Sequence, residues 1–209
     1  MNENLSGAWR VYVRATAFVV AVLFAVGTAG HVFSVTLPLM LRLTPWFLLL
    51  CGVLVIAPMR AAGGGRFAFW ALATYAVTFV AEAVGVSTGA IFGEYAYGKT
   101  LGFARWGVPL VIAFNWVLVV HGTSCIADQL GSGWTGRGRA VAIAMLSGVL
   151  ATVFDFVMEP VAVRLDYWTW AGGAIPLQNY AAWFVIAAFA TGARQRWARP
   201  PHGFTSACR

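Results

Sequence analysis

Five of the chain's seven acidic residues stand in two short stretches. The first, from Ala81 to Tyr97, reads AEAVGVSTGAIFGEYAY and carries Glu82 and Glu94. The second, from Asp155 to Trp170, reads DFVMEPVAVRLDYWTW and carries Asp155, Glu159 and Asp166. Asp155 and Glu159 are spaced i, i+4, so on a helix they share one face. Both lie in apolar sequence, where a charged group costs at least about 2.5–3.5 kcal/mol on insertion scales. Such a pair needs partners, protonation or a water-filled cavity. Desolvation and like-charge repulsion favour the neutral form of a carboxyl, which is how a proton is kept for acid catalysis at neutral pH. The plainer alternative is that Asp155 pairs with an arginine or caps a loop while Glu159 sits at an interface.

Glu82 lies among Val80, Ala81, Ala83 and Val84. A lone glutamate in a membrane-like run is a functional candidate by default, with a hydrogen bond to a neighbouring helix as the structural alternative. Asp155, Glu82 and Glu159 are therefore the expected catalytic residues. The glycines Gly85, Gly89 and Gly93, spaced by four, are expected to allow close backbone approach. Tyr95, Tyr97, Trp106, Tyr167, Trp168 and Trp170 have two readings. They form an interfacial aromatic belt, or their π faces line a polyene tunnel and stabilise a carbocation. Asn115 beside Trp116 is placed to position water or to hydrogen-bond across helices. Glu94, Asn179 and His31 are further candidates for binding or support. His121 and His202 show no ligand spacing with a second histidine, so a histidine-rich di-iron centre is not expected, and no metal site is assigned. No Walker motif, dinucleotide fingerprint or GxSxG is present.

The elements that must position these residues follow from composition. Of 209 residues, 60% are hydrophobic and only 10% charged, against roughly a quarter charged in soluble domains. The apolar runs are long and unbroken, which favours spanning helices over a barrel. The reading is an all-α integral membrane protein, a bundle of about six transmembrane helices over 11–35, 45–59, 67–89, 108–127, 139–163 and 176–193. Residues 1–193 form one polytopic domain and 194–209 a basic tail. The run 45–59 is short, and a re-entrant segment is its alternative. Ala61-Ala62-Gly63-Gly64-Gly65 reads as a turn or linker. Ten of the 14 Lys and Arg residues fall on the side of the termini and four on the other, which places both termini in the cytoplasm. Glu82, Glu94, Asp155, Glu159, His31 and Asn179 then converge at the opposite level. The net charge of +7 comes from short flanking loops, with no basic stripe of the kind that binds nucleic acid. Cys51, Cys125 and Cys208 have no paired spacing, so no disulfide framework is expected. No cleavable signal peptide is read at the N-terminus, since the first apolar run is long enough to span.

Taken together, Glu82-x-x-Gly85-x-x-x-Gly89-x-x-Phe92-Gly93-x-Tyr95-x-Tyr97, Gly107-Val108-Pro109 and Asn115-Trp116 resemble the CruF-type carotenoid biosynthesis family. So do Asp155-x-x-x-Glu159-Pro160-Val161-Ala162, Trp168-x-Trp170 and Ile175-Pro176-x-x-Asn179. The resemblance covers roughly Glu82 to Trp183. The chain departs from it at Glu159, where aspartate is usual, and at Ala171-Gly172-Gly173-Ala174, where an aromatic approach is expected. The resemblance implies a carotenoid 1,2-hydratase, a hydro-lyase that adds water to the terminal C=C of an acyclic ψ end group. The residues suit that chemistry. A carboxyl protonates C2, and water held by a second carboxylate captures the tertiary cation at C1, with no cofactor required. A carotenoid is about as long as the hydrocarbon core is thick, roughly 30 Å, so its end group would meet acids near the interface. The expected partners are a lipid-soluble carotenoid, water and the bilayer of the cell (inner) membrane, with homo-oligomerisation left open. Two other readings stand. One is an end-group cyclase or isomerase using the same protonation. The other is a membrane binder or transporter using the carboxylates as a relay, although no internal repeat supports it.

Overall fold

A computed structural model describes residues 2–198, and within them not the side chains of 2–6, 8–10 and 57–63. Five α-helices carry the chain: α1 (Asn2–Val32), α2 (Leu37–Thr88), α3 (Leu110–Leu130), α4 (Arg139–Arg164) and α5 (Leu177–Trp197). α2 is two helices joined across a kink at Gly64, so the bundle has six helical rods. Four short strands join them: β1 (Tyr95–Tyr97), β2 (Ala104–Arg105), β3 (Val108–Pro109) and β4 (Trp168–Trp170).

Five rods are long and apolar enough to cross a membrane: Val11–Val32, Leu37–Ile56, Gly64–Thr88, Leu110–Leu130 and Arg139–Arg164. The sixth, α5, matches the predicted segment 176–193 in place but carries Gln178, Asn179, Arg194, Gln195 and Arg196, and is less apolar. The bundle is uneven. None of the most apolar window of Val11–Val32 is buried in the protein, whereas 61% of that of Leu110–Leu130 is. The core is therefore α3 with α4, α5 and the second half of α2, and α1 lies outside it against α2.

Two local readings of the sequence change. The rod that contains the short run 45–59 begins at Leu37 and spans Leu37–Ile56. Arg42 and Pro45 punctuate its apolar pattern without ending the helix. Backbone groups freed by proline in a helix of this kind are re-satisfied locally, and Thr44 Oγ1 also donates to Met40 O at 3.0 Å. The glycine run 61–65, expected as a turn or linker, is helical up to a kink at Gly64, where one helix gives way to the next. Gly64 has φ 60° and ψ −151°, a region open in practice to glycine alone.

Proline starts both α3 and α5: Pro109 and Pro176 stand at their N-caps in extended conformation. Neither has an N–H to leave unsatisfied, and the fixed φ suits the entry. On α4 the buried residues are Ile143, Ala144, Ser147, Gly148, Ala151, Asp155, Glu159 and Ala162, a single stripe at helical spacing. Its small members let α5 approach closely. A Cβ on Gly148 would lie 2.9 Å from the Phe184 carbonyl oxygen.

One end of the bundle is closed by polar side chains. Asp128 accepts from Arg139 at 3.1 Å, from Arg194 at 3.3 Å and from Gln195 at 2.8 Å. Arg194 also donates to Ser124 Oγ and is only 2% exposed. Arg194 and Gln195, which open the predicted basic tail, are thus buried on α5; residues 199–209 lie outside the described part. A buried hydroxyl chain, Thr123–Ser147–Thr191, links α3, α4 and α5 at 2.9 and 2.8 Å.

Candidate active site

The opposite end is closed by a two-stranded antiparallel ribbon that the sequence did not announce. β1 pairs with β4 in the register Tyr95↔Trp170, Ala96↔Thr169, Tyr97↔Trp168. Side chains alternate along a strand, so Tyr95 and Tyr97 fall on one face with Trp168 and Trp170. Ala96 and Thr169 take the exposed face. Backbone bonds extend the ribbon at both ends, Gly98 N to Tyr167 O at 2.9 Å and Ala171 N to Glu94 O at 3.0 Å. The Tyr95 and Trp170 ring centroids are 5.2 Å apart.

Under this aromatic face lie three buried carboxylates. Glu82, near the end of α2, is 5% exposed. Its Oε2 accepts from the Tyr95 and Tyr97 hydroxyls, the latter at 2.8 Å, and its Oε1 accepts from Trp116 Nε1 at 2.7 Å. Glu159 on α4 is 1% exposed, and its Oε2 accepts from the indole N–H groups of Trp168 and Trp170, each at 3.0 Å. Asp155, one turn earlier on α4, is fully buried. Its Oδ2 accepts from Asn179 Nδ2 at 2.6 Å, and its Oδ1 has no partner among the described residues. Asp155 lies within electrostatic reach of both Glu159 and Glu82.

The three acids are thus not equivalent. Burying a carboxylate costs several kcal/mol, and each hydrogen bond to a charged group returns about 1.5–3 kcal/mol. Glu82 has three donors, Glu159 two and Asp155 one. The described residues supply no salt bridge to any of them; both ion pairs belong to Asp128. All six donors are neutral. Burial, and the Glu82 carboxylate beside them, push the Tyr95 and Tyr97 phenols well above the usual tyrosine range, so both stay protonated donors.

The walls are aromatic. Trp116 stacks on Trp183 with centroids 3.9 Å apart and planes 28° from parallel, and Phe92 lies beside Trp116. Gly85 makes room for this: a Cβ there would lie 2.7 Å from the Phe92 ring and 3.2 Å from the Tyr95 hydroxyl. The close approach expected of these glycines is, at Gly85, that of a loop onto its own helix, and at Gly93 that of the loop onto Pro176 at the start of α5, 2.6 Å from where a Cβ would stand. Gly89 ends α2 in the left-handed region, φ 67°, with its N–H on Gly85 O, and so turns the chain back toward the ribbon.

Most of the residues expected at the site meet there: Glu82, Asp155, Glu159, Tyr95, Tyr97, Trp116, Trp168, Trp170 and Asn179. Trp168 and Trp170 are buried, whereas Trp106 is 66% exposed under Arg105, as a belt residue would be. Glu94 is exposed and contributes its carbonyl to the ribbon. Asn115 is half-buried; its neighbour Trp116 is the one that reaches a carboxylate. His31 bonds Gly27 O on its own helix at 2.7 Å. Two contributors were not expected. Gln178 ties the start of α5 to the end of α2 through Gly89 O and Ala90 O, at 3.2 and 2.5 Å. Trp183 stands four residues after Asn179, a spacing that puts it on the same face of α5 and was there to be read. Among the described residues no three His, Cys, Asp or Glu side chains are grouped to hold a metal ion.

The chain as a whole has known relatives. The family described as "Carotenoid biosynthesis protein" matches residues 43–207. A bisanhydrobacterioruberin hydratase of Haloarcula japonica is 32% identical over 193 residues. That match takes in 83% of this chain and 62% of the relative, so the chain spans under two thirds of the relative's length. No solved structure matches.

Proposed function

Because the chain belongs to the carotenoid biosynthesis protein family, we propose that it is a carotenoid 1,2-hydratase working by acid-catalysed addition of water. The observation that carries this reading is the inequality of the three acids. Among the described residues Asp155 keeps one buried oxygen, Oδ1, without a partner, beside two carboxylates already supplied with donors. A hydratase needs one mobile proton and a fixed negative field, and this arrangement offers both.

In the proposed reaction Asp155 Oδ1 carries the proton. The π pair of the terminal C=C takes it at C2, forming the C2–H bond and leaving a tertiary cation at C1. Water attacks C1 through oxygen. Its surplus proton passes to a carboxylate and returns to Asp155, so the net change is the addition of H and OH. Glu82 holds the water. Three of its four lone-pair positions are occupied, and one on Oε1 is left. Glu159 accepts from its two indoles, and its carboxylate, with the faces of Trp116, Trp183, Tyr95 and Trp170, stabilises the cation. Asn179 fixes the Asp155 rotamer by holding Oδ2. Trp168 and Trp170 line the approach of the polyene. The relative named as a hydratase supports addition of water over internal capture of the cation.

The protein is proposed to sit in the cell membrane with six spans and both termini in the cytoplasm, on the ten-to-four distribution of basic residues. The acids then lie in the outer half, where an end group of a membrane-spanning polyene reaches water. Expression in a lycopene-producing host tests the reaction. A product heavier by one water is expected. A product of unchanged mass with altered absorption would identify a cyclase or isomerase instead, and unmodified lycopene would remove ψ-end chemistry on this substrate.

A further inference from the structure

At the end of the bundle away from the three acids, a cavity of about 440 Å³ is lined by Gly65, Arg66, Phe69, Arg196 and Trp197. Arg66 and Phe69 open the second half of α2, and Arg196 and Trp197 close α5. Charge accounting isolates the two arginines. Of the seven acidic residues, Glu82, Asp155 and Glu159 are buried at the far end, and Glu94 and Asp166 lie in the segments that carry the ribbon there. Asp128 is held by Arg139, Arg194 and Gln195. Glu3 has no described side chain. Among the described residues no ion pair joins a carboxylate to Arg66 or Arg196, and both are exposed, so the two guanidiniums are open to an external anion.

The remaining walls say what kind of anion. Phe69 and Trp197 are 69% and 66% exposed, apolar rings at the rim of a guanidinium pair. An indole such as that of Trp197 favours the level where headgroups meet acyl chains, and Phe69 adds an apolar face beside it. Gly65 forms an open wall: a Cβ there would meet nothing within 4 Å. Two planar forks beside apolar rings suit a phosphate ester attached to hydrocarbon better than a free hydrated ion. We propose that this cavity binds the phosphate of an anionic phospholipid, phosphatidylglycerol being the simplest example, at the headgroup level of the leaflet facing Arg66 and Arg196. The site is separate from the carboxylates and does not depend on the reaction assigned to them.

The test is lipid binding by the full-length protein in detergent, followed by native mass spectrometry during titration with phosphatidylglycerol. Arg66→Gln with Arg196→Gln should weaken binding about thirtyfold, as expected for two basic side chains at a membrane surface. Gly65→Phe keeps both charges but fills the cavity, and should weaken binding as well. Arg137→Gln removes an exposed arginine from the α3–α4 turn at the same end and should leave binding unchanged. Equal loss in Arg137→Gln, or no loss in Gly65→Phe, would show that general positive charge attracts the lipid and would overturn the site. Phosphatidylcholine bound as tightly as phosphatidylglycerol would overturn the anionic assignment. Displacement of the lipid by millimolar-range inorganic phosphate would reassign the cavity to a soluble phosphate.

Discussion

Tyr97 and Trp168 face each other across the ribbon with ring centroids 6.0 Å apart, yet they hold different acids. Tyr97 donates to Glu82 on α2, and Trp168 donates to Glu159 on α4. Direct contact between α2 and α4 is sparse. α3 and α5 each pack on both helices, and the ribbon adds a direct link between the acids, since its two strands each hold one of them. Six ladder residues turn two separate polar positions into one site.

Removal of the unpaired oxygen's proton is the most direct test of the proposed chemistry. Asp155→Asn keeps size and polarity but supplies no acid. Hydration measured as product mass should fall by about 10²–10⁴-fold, the usual contribution of a general acid, while the protein still accumulates in membranes. Glu82→Gln should do nearly the same. Near-native turnover in both variants would return the carboxylates to a structural role.

The indole donors make a stability prediction. Trp168→Phe and Trp170→Phe each keep an aromatic ring and remove one N–H from Glu159. A buried carboxylate deprived of a donor costs about 1–3 kcal/mol, so the melting temperature should drop in each variant and further in the double. Trp168→Leu with Trp170→Leu should also lower turnover, if these rings line the approach. A double variant with unchanged melting and unchanged turnover would make both rings belt residues.

Alkaline pH probes the phenols. Tyr95 and Tyr97 are raised by burial and then by Glu82. A group bound more tightly to its proton in the folded state contributes stability that is complete below its unfolded value, near 10 for tyrosine, and is lost as pH rises beyond it. Stability should therefore decline above about pH 10, and that decline should shrink in Tyr95→Phe with Tyr97→Phe. Tyrosinate absorbance of these two should appear only together with unfolding. Their titration in the intact fold would contradict the buried geometry.

Arg194 and Arg139 share Asp128 but not their surroundings. Arg194 is buried and also holds Ser124, whereas Arg139 is partly exposed. Breaking a buried pair costs about 3–5 kcal/mol, and an exposed one about 0–1 kcal/mol. Arg194→Ala should lower thermal stability far more than Arg139→Ala. Equal effects would mean that Asp128 is solvated in practice.

Topology is testable by fusion. A reporter active only outside the cytoplasm should give signal when fused after Gly98, beside the ribbon, and none after Gly133, in the turn between α3 and α4. The reverse pattern would invert the orientation and put the acids in the inner half.

Helical class, the approximate rods and the shared face of Asp155 and Glu159 were legible in the amino-acid order, because apolar run length and i, i+4 spacing are local properties. The family resemblance was legible too, since its motifs are short and contiguous. The partners of each acid were not. Tyr95–Tyr97 and Trp168–Trp170 read as aromatic loops until the ends of α2 and α4 bring them into register. Asn115 and Trp116 are adjacent, and only the placement of α3 against α2 decides that the indole is the one to reach Glu82. Arg194 carries the composition of a tail, and only the buried Asp128 beside it makes it core. Periodicity is written along one helix and survives without its neighbours. A hydrogen-bond donor is assigned by where other helices end, and that is decided when the bundle packs.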